Sequence, residues 1–144
     1  MSAAEFSTVV VLPVAPEAVF AHLADPHSYL GLSPLIVEVR DVRPSPGLVR
    51  YTAVERFRLG PLHHDNIIEV TLRLGEGTVE GDVVSPGGVR LAYGYRLSPA
   101  LGGGTRVVDW VRLTAPFGLR GFAAGQARKV QLARGRELVR RFPG

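Results

Sequence analysis

The sequence predicts one α+β domain over residues 1–144, a curved antiparallel sheet of about seven strands wrapped around a long C-terminal helix. Three observations predict it. Between residues 35 and 115, apolar and polar side chains alternate with a period of two, in segments bounded by glycine and proline. After Pro116 the apolar residues step by three or four in a single amphipathic run. The chain has 144 residues, 46% of them hydrophobic and 21% charged, which is the length and composition of one packed core.

Phe6 to Pro13 is β-branched and reads as a strand. Pro16 to Ala24 reads as a helix: proline opens it, Glu17 sits in its first turn, and Val19, Phe20 and Leu23 share a face. Asp25-Pro26 ends it, because proline disfavours helical backbone at the residue before it. His27 to Leu30 is expected to make a short turn, and Gly31 to Pro34 a loop. Six strands follow at 35–43, 48–59, 64–75, 77–85, 89–98 and 104–115. Their connections (Pro44 to Gly47, Gly60-Pro61, Gly75 to Gly77, Pro86 to Gly88 and Gly102 to Gly104) are too short for crossovers, so the strands form an antiparallel meander. The last run places Leu119, Ala123, Ala127, Val130, Arg134 and Leu138 on one stripe, with Phe122 and Phe142 beside it. At 1.5 Å per residue, its roughly 22 residues span about 33 Å, enough to cross a small domain. That stripe must be covered, and the concave face of the sheet is the available partner. Gly118, Gly121 and Gly125 near its start read either as a flexible or closely packed cavity mouth or as a frayed first turn.

Strand alternation separates the two faces of the sheet. The inward set includes Tyr51, Ala53, Glu55 and Phe57, then His64, Asn66, Ile68 and Val70, then Tyr93 and Tyr95, then Val107, Asp109 and Val111. Trp110 has the opposite parity, which implies either packing under a loop or a slipped register. Glu55 and Asp109 stand on otherwise apolar faces. A buried carboxylate needs a partner or a raised pKa, so each either meets a polar ligand group, moves a proton, or is turned outward or paired with Tyr, Arg or His. His64 points inward and could act as acid or base. The candidate catalytic residues are therefore Glu55, His64 and Asp109. The candidate ligand contacts are Tyr51, Glu55, Phe57, His64, Ile68, Tyr93, Tyr95, Asp109 and Phe122.

The order strand, helix, short helix, six strands and long helix resembles the helix-grip fold of the START-like superfamily, which includes polyketide cyclases, Bet v 1-like allergens and coenzyme Q-binding proteins. The matching stretches are Val14 to Phe20, Leu23 to Pro26 with Tyr29 and Pro34, Tyr95 to Pro99, Gly103 to Val107, and the terminal helix. The resemblance implies a cavity between sheet and helix that holds a lipid, polyketide, isoprenoid or similar molecule. On that footing the expected function is carriage or sensing of a small hydrophobic ligand, without a cofactor. The alternative is a polyketide aromatase/cyclase or dehydratase that uses the inward acid and base groups.

Other classes lack their residues. The chain has no cysteine, which removes disulfides, thiolate metal sites and a cysteine nucleophile and suits a reducing cytoplasm. Met1 to Glu5 carries neither a basic n-region nor an apolar core, so no secretory signal is expected. No serine sits in a nucleophile elbow, and no glycine loop is built for phosphate. Adjacent His63 and His64 point to opposite faces of a strand, and His22 and His27 have no acid at ligand spacing, so no metal site is expected. The net charge of +4 is concentrated in the terminal helix, where Arg120, Arg128, Lys129, Arg134, Arg136, Arg140 and Arg141 face only Glu137. No aromatic residues interleave with them, so nucleic acid is not an expected partner. They read as a solvated face or as a surface for weak association with an anionic membrane. A monomer or a homodimer fits equally well.

Overall fold

The computed structural model describes residues 2–85 and 88–144, and all of their side chains except those of Ser2 and Leu59. One antiparallel sheet of seven strands runs in the order β1-β7-β6-β5-β4-β3-β2. Its strands are β1 (Ser2–Leu12), β2 (Ile36–Ser45), β3 (Leu48–Leu59), β4 (Leu62–Gly75), β5 (Thr78–Val84), β6 (Arg90–Pro99) and β7 (Thr105–Ala115). Strands β2 to β7 form the meander that the short turns require. The sheet is open, with β1 and β2 at its edges, and it wraps around the long helix α2 (Arg120–Arg141). Helix α1 (Pro16–Ala24) and a 3₁₀ turn (Pro26–Tyr29) link β1 to β2 across the sheet. The first strand begins at Ser2 rather than Phe6, because its pairing with β7 continues to Ser2↔Ala115. The connection expected at Pro86 to Gly88 lies partly outside the described residues. Ser85 N donates to Val89 O at 3.0 Å across it.

Edge strand β2 is bulged. Its pairing with β3 shifts register between Ile36 and Glu38 and again between Arg40 and Arg43, with Asp41 in a left-handed conformation at φ 55°. Such bulges increase local twist and help the sheet to curl. Elsewhere the register is unbroken. Trp110 pairs with Ser7 and Gly94 as the alternation requires, and its ring lies on the outer face over Gly94. A Cβ at Gly94 would stand 2.6 Å from that ring, so glycine is what admits the indole. The register does not slip.

The two halves of α2 differ in packing. Gln131, Arg134, Gly135 and Leu138 are buried against β1 and β7, whereas no side chain from Arg120 to Val130 is. That first half is rich in Gly and Ala (Gly121, Ala123, Ala124, Gly125, Ala127), which cannot reach the sheet. Gly121 and Gly125 lie inside the helix, and a Cβ on either would meet nothing within 4 Å. Close packing therefore does not explain them. Gly118, just before the helix, has φ 106°.

The far end of α2 is fastened. Arg141 donates to the carbonyls of Ser28 (2.6 Å) and Leu30 (2.8 Å) and approaches His22 Nε2 at 2.9 Å. Glu137 accepts from Arg140 and Arg141 and is held at a pKa of about 2 by them. Arg128 donates to Ser7 O, and Arg120 to Ala3 O. Arg120, Arg128, Arg140 and Arg141 thus each have a hydrogen-bond partner within the molecule. No helix among the described residues is long and apolar enough to cross a membrane.

Candidate functional site: a half-filled hollow under the C-terminal helix

Because α2 fills the hollow at one end only, a cavity of about 440 Å³ remains between its first half and the sheet. This lies within the size range of small-molecule pockets. Ala123, Ala127 and Val130 form its roof, Ile68, Val70, Val111 and Leu113 part of its apolar wall, and Leu35 and Ile36 one side. It opens toward the β3–β4 hairpin and the start of α2. There Phe57 and His64 line the rim, and Leu119 and Phe122 stand 45% and 66% exposed.

All four tyrosines of the chain gather at the closed end. Tyr29 stacks on Tyr51 at 6.5 Å and meets Tyr93 edge-on at 6.4 Å; Tyr93 meets Tyr95 edge-on at 6.2 Å. Tyr29 also donates to Leu23 O at 2.9 Å, tying the 3₁₀ turn to α1. The ring of Tyr93 lies across β5, where a Cβ at its cross-strand partner Gly81 would come within 2.4 Å. Burial raises the pKa of Tyr51 and Tyr29 well above the ordinary phenol value and pushes Tyr93 up to about 12. The hydroxyls of Tyr51 and Tyr93 therefore stay protonated and can donate to a ligand oxygen, whereas the Tyr29 proton is already committed to Leu23 O.

Behind the tyrosines lies a buried ion pair. Arg134 donates to Asp109 twice, Nε to Oδ2 and Nη2 to Oδ1, both at 2.8 Å. Gln131 Nε2 adds bonds to the Asp109 carbonyl (2.9 Å) and to Oδ1 (3.3 Å). The guanidinium carbon lies 5.6 Å from the Tyr93 ring centroid and 5.4 Å from that of Tyr95. Burial alone would lower the Arg134 pKa, but Tyr95 and Asp109 outweigh it and hold the group charged.

The expected site residues divide accordingly. Tyr51, Glu55, Phe57, His64, Ile68, Tyr93 and Phe122 all line the cavity. Asp109 and Tyr95 do not, because α2 descends onto them at Arg134. Asp109 is the buried pair that its position on an apolar face allowed, and the Tyr95 hydroxyl is the one buried side-chain polar atom without a partner among the described residues. Tyr29, Ser33, Ile36 and Arg134 line the cavity without having been singled out as ligand contacts. Arg134 had left a signal: an arginine on the apolar stripe of a helix needs an inward acid, and Asp109 is one.

At the mouth, Glu55 is directly opposite Asn66 across the β3–β4 ladder, and Phe57 is opposite His64. His64 Nε2 lies 2.9 Å from Asn66 Oδ1, which orients the amide. Glu55 has no hydrogen bond and no ion pair among the described residues, and burial alone raises its pKa. No group of three or more potential metal ligands occurs among the described residues.

A family model described as polyketide cyclase / dehydrase and lipid transport matches residues 3–142. The chain belongs to this family. Among solved structures, the fold of this polyketide cyclase/dehydrase family protein is similar to that of the Zhui aromatase/cyclase from Streptomyces sp. R1128 (TM-score 0.75, 13% identity, 99% of this chain and 98% of the other covered). It is also similar to the allergen Ara h 8.0201 (TM-score 0.66, 12% identity, 96% and 99% covered). A third similar structure is the di-domain aromatase/cyclase StfQ of the steffimycin biosynthetic pathway (TM-score 0.70, 10% identity), where 97% of this chain matches 50% of that one. No curated protein matches the sequence. At these identities the likeness is one of fold, the Bet v 1-like helix-grip arrangement.

Proposed function

We propose that this polyketide cyclase/dehydrase family protein binds a small hydrophobic molecule in the cavity and acts as its carrier or sensor. One observation carries the reading: about 440 Å³ of space with an apolar lining lies where the small residues of α2 leave the hollow of the sheet unfilled. An empty apolar cavity of that size costs stability, and a guest recovers the lost contacts. The tyrosines add flat surface for rings and donors for one ligand oxygen. Fluorescence of N-phenyl-1-naphthylamine, a neutral apolar reporter, tests this. The wild type is expected to bind it, and Ala123→Trp, which fills the roof, to lose that binding while staying folded. Failure of the wild type to bind this reporter or any member of a panel of apolar ligands would overturn the reading.

The second reading is cyclisation or dehydration of a polyketide. In its favour, Glu55 and His64 both line the cavity, and burial makes Glu55 a stronger base and a better proton holder than an exposed carboxylate. Incubation with a polyketide-producing system tests it: a product profile changed by the wild type but not by Glu55→Gln would support it, and identical profiles would exclude it.

A further inference from the structure

The cavity has an unbalanced charge. Of the ionisable groups that line it, Arg134 has its charge taken up by Asp109, and the tyrosines are neutral. His64 stands at the exposed rim, turned to Asn66. Among the described residues, Glu55 alone contributes a carboxylate that nothing answers. The nearest basic side chain on its own strand, Arg56, points to the other face and is held bidentately by Asp65 at 2.8 and 3.0 Å. Asn66, fixed by His64 across the ladder from Glu55, supplies an amide and no charge.

A lone carboxylate in an apolar wall is costly in the empty protein, and water reaching the mouth offsets only part of that cost. A ligand bearing a cation at that point replaces the lost solvation with a charge-assisted hydrogen bond. A ligand bearing an anion meets repulsion there and gains little from Arg134, whose charge is already paired. Glu55 lies four residues along β3 from Tyr51, about 13 Å at strand spacing. An extended apolar body can thus reach the tyrosines while its head remains at the mouth.

We propose that the cavity selects apolar molecules that carry a protonated amine, seated on Glu55 at the mouth with the apolar body directed toward Tyr51 and Tyr93. The inference rests on the binding function proposed above and names the ligand class for that same site. The Glu55 carboxylate accepts from the ammonium, the Asn66 side chain borders the head group, and Phe57 and Phe122 line the rim around it.

The test is displacement of N-phenyl-1-naphthylamine from the wild-type protein by decylamine, decanol and decanoate at pH 7, below their aggregation limits. Decylamine is expected to displace the reporter at a concentration about tenfold lower than decanol, a difference typical of one charge-assisted contact, with decanoate weakest. In Glu55→Gln the ratio of decylamine to decanol midpoints is expected to fall to near one; using the ratio cancels any change in reporter affinity. A second readout needs no variant: on acidification from pH 7 to 4.5 decylamine is expected to weaken while decanol does not, because Glu55 becomes protonated. Decanol or decanoate matching decylamine in the wild type overturns the proposal, as does an amine preference that survives in Glu55→Gln or is flat with pH. In each of those cases bound reporter still supports the cavity as a binding site. A wild type that binds no reporter defeats both readings together.

Discussion

Arg134 and Asp109 join the terminal helix to strand β7 through two parallel hydrogen bonds of 2.8 Å, in a place where both side chains are almost wholly out of water. Taking two charges from water is expensive, and here the bidentate geometry, the Gln131 bonds and two tyrosine rings offset the cost.

Breaking that pair is expected to destabilise strongly. Asp109→Ala leaves the Arg134 guanidinium without its counter-charge and should cost about 3–5 kcal/mol. The double variant Asp109→Leu/Arg134→Met should lose much less than either half alone, since it removes both desolvated charges. Urea denaturation of the wild type, Asp109→Ala, the two single halves and the double variant checks this. A double variant as unstable as Asp109→Ala would mean that the pair's worth lies in shape rather than charge.

Glu55 makes the opposite case, a desolvated carboxylate with nothing to answer it. Because burial raises its pKa in the folded protein, the folded state holds the proton more firmly than the unfolded one. Its favourable contribution is complete below the ordinary carboxylate range and is lost as pH rises through the raised value. Glu55→Gln is therefore expected to melt higher than the wild type at pH 7, with the advantage shrinking toward zero below about pH 4. Paired thermal melts across pH measure it, and an advantage that grew on acidification would contradict the burial argument.

The two aromatic–glycine pairs predict a contrast between faces. Gly81→Ala pushes against the Tyr93 ring on the concave face of the sheet, whereas Gly94→Ala pushes against Trp110 on the outer face. Both should lose roughly 1–3 kcal/mol through overpacking. Only Gly81→Ala is expected also to weaken reporter binding, because Tyr93 lines the cavity and Trp110 does not. Equal binding by both variants would separate Tyr93 from the site.

Arg141 offers a spectroscopic test of the anchor. Burial and the neighbouring arginine lower the His22 pKa, and Asp25 opposes them. In Arg141→Ala, the carbonyls of Ser28 and Leu30 lose their donor, which should cost about 1–2 kcal/mol. The His22 pKa should rise toward its ordinary value, as proton NMR titration of the imidazole would show. An unmoved titration would place the two side chains apart in solution.

The fold was legible because it rests on periodicity: six alternating segments and one helical stripe leave little choice once the turns are short. The start of β1 was not, since only its pairing with β7 extends Ser2 to Glu5 as strand. Most of the cavity wall was legible from parity, including Glu55, Ile68 and Tyr93. Parity gives the face of a residue and not its depth along the strand. That is why Asp109 and Tyr95 were grouped with Glu55 although α2 covers them. Tyr29 and Ile36 entered from a turn and a bulged edge, where no period applies.

One consequence follows from the uneven fit of α2. The end that carries Arg134, Leu138 and Arg141 is bolted down by contacts that owe nothing to any guest. The fold thus does not depend on the chamber being filled, and under the proposed binding function the exchange of a guest would need to disturb only the glycine- and alanine-rich turns near Gly121 and Gly125. A tenant can leave without bringing down the house.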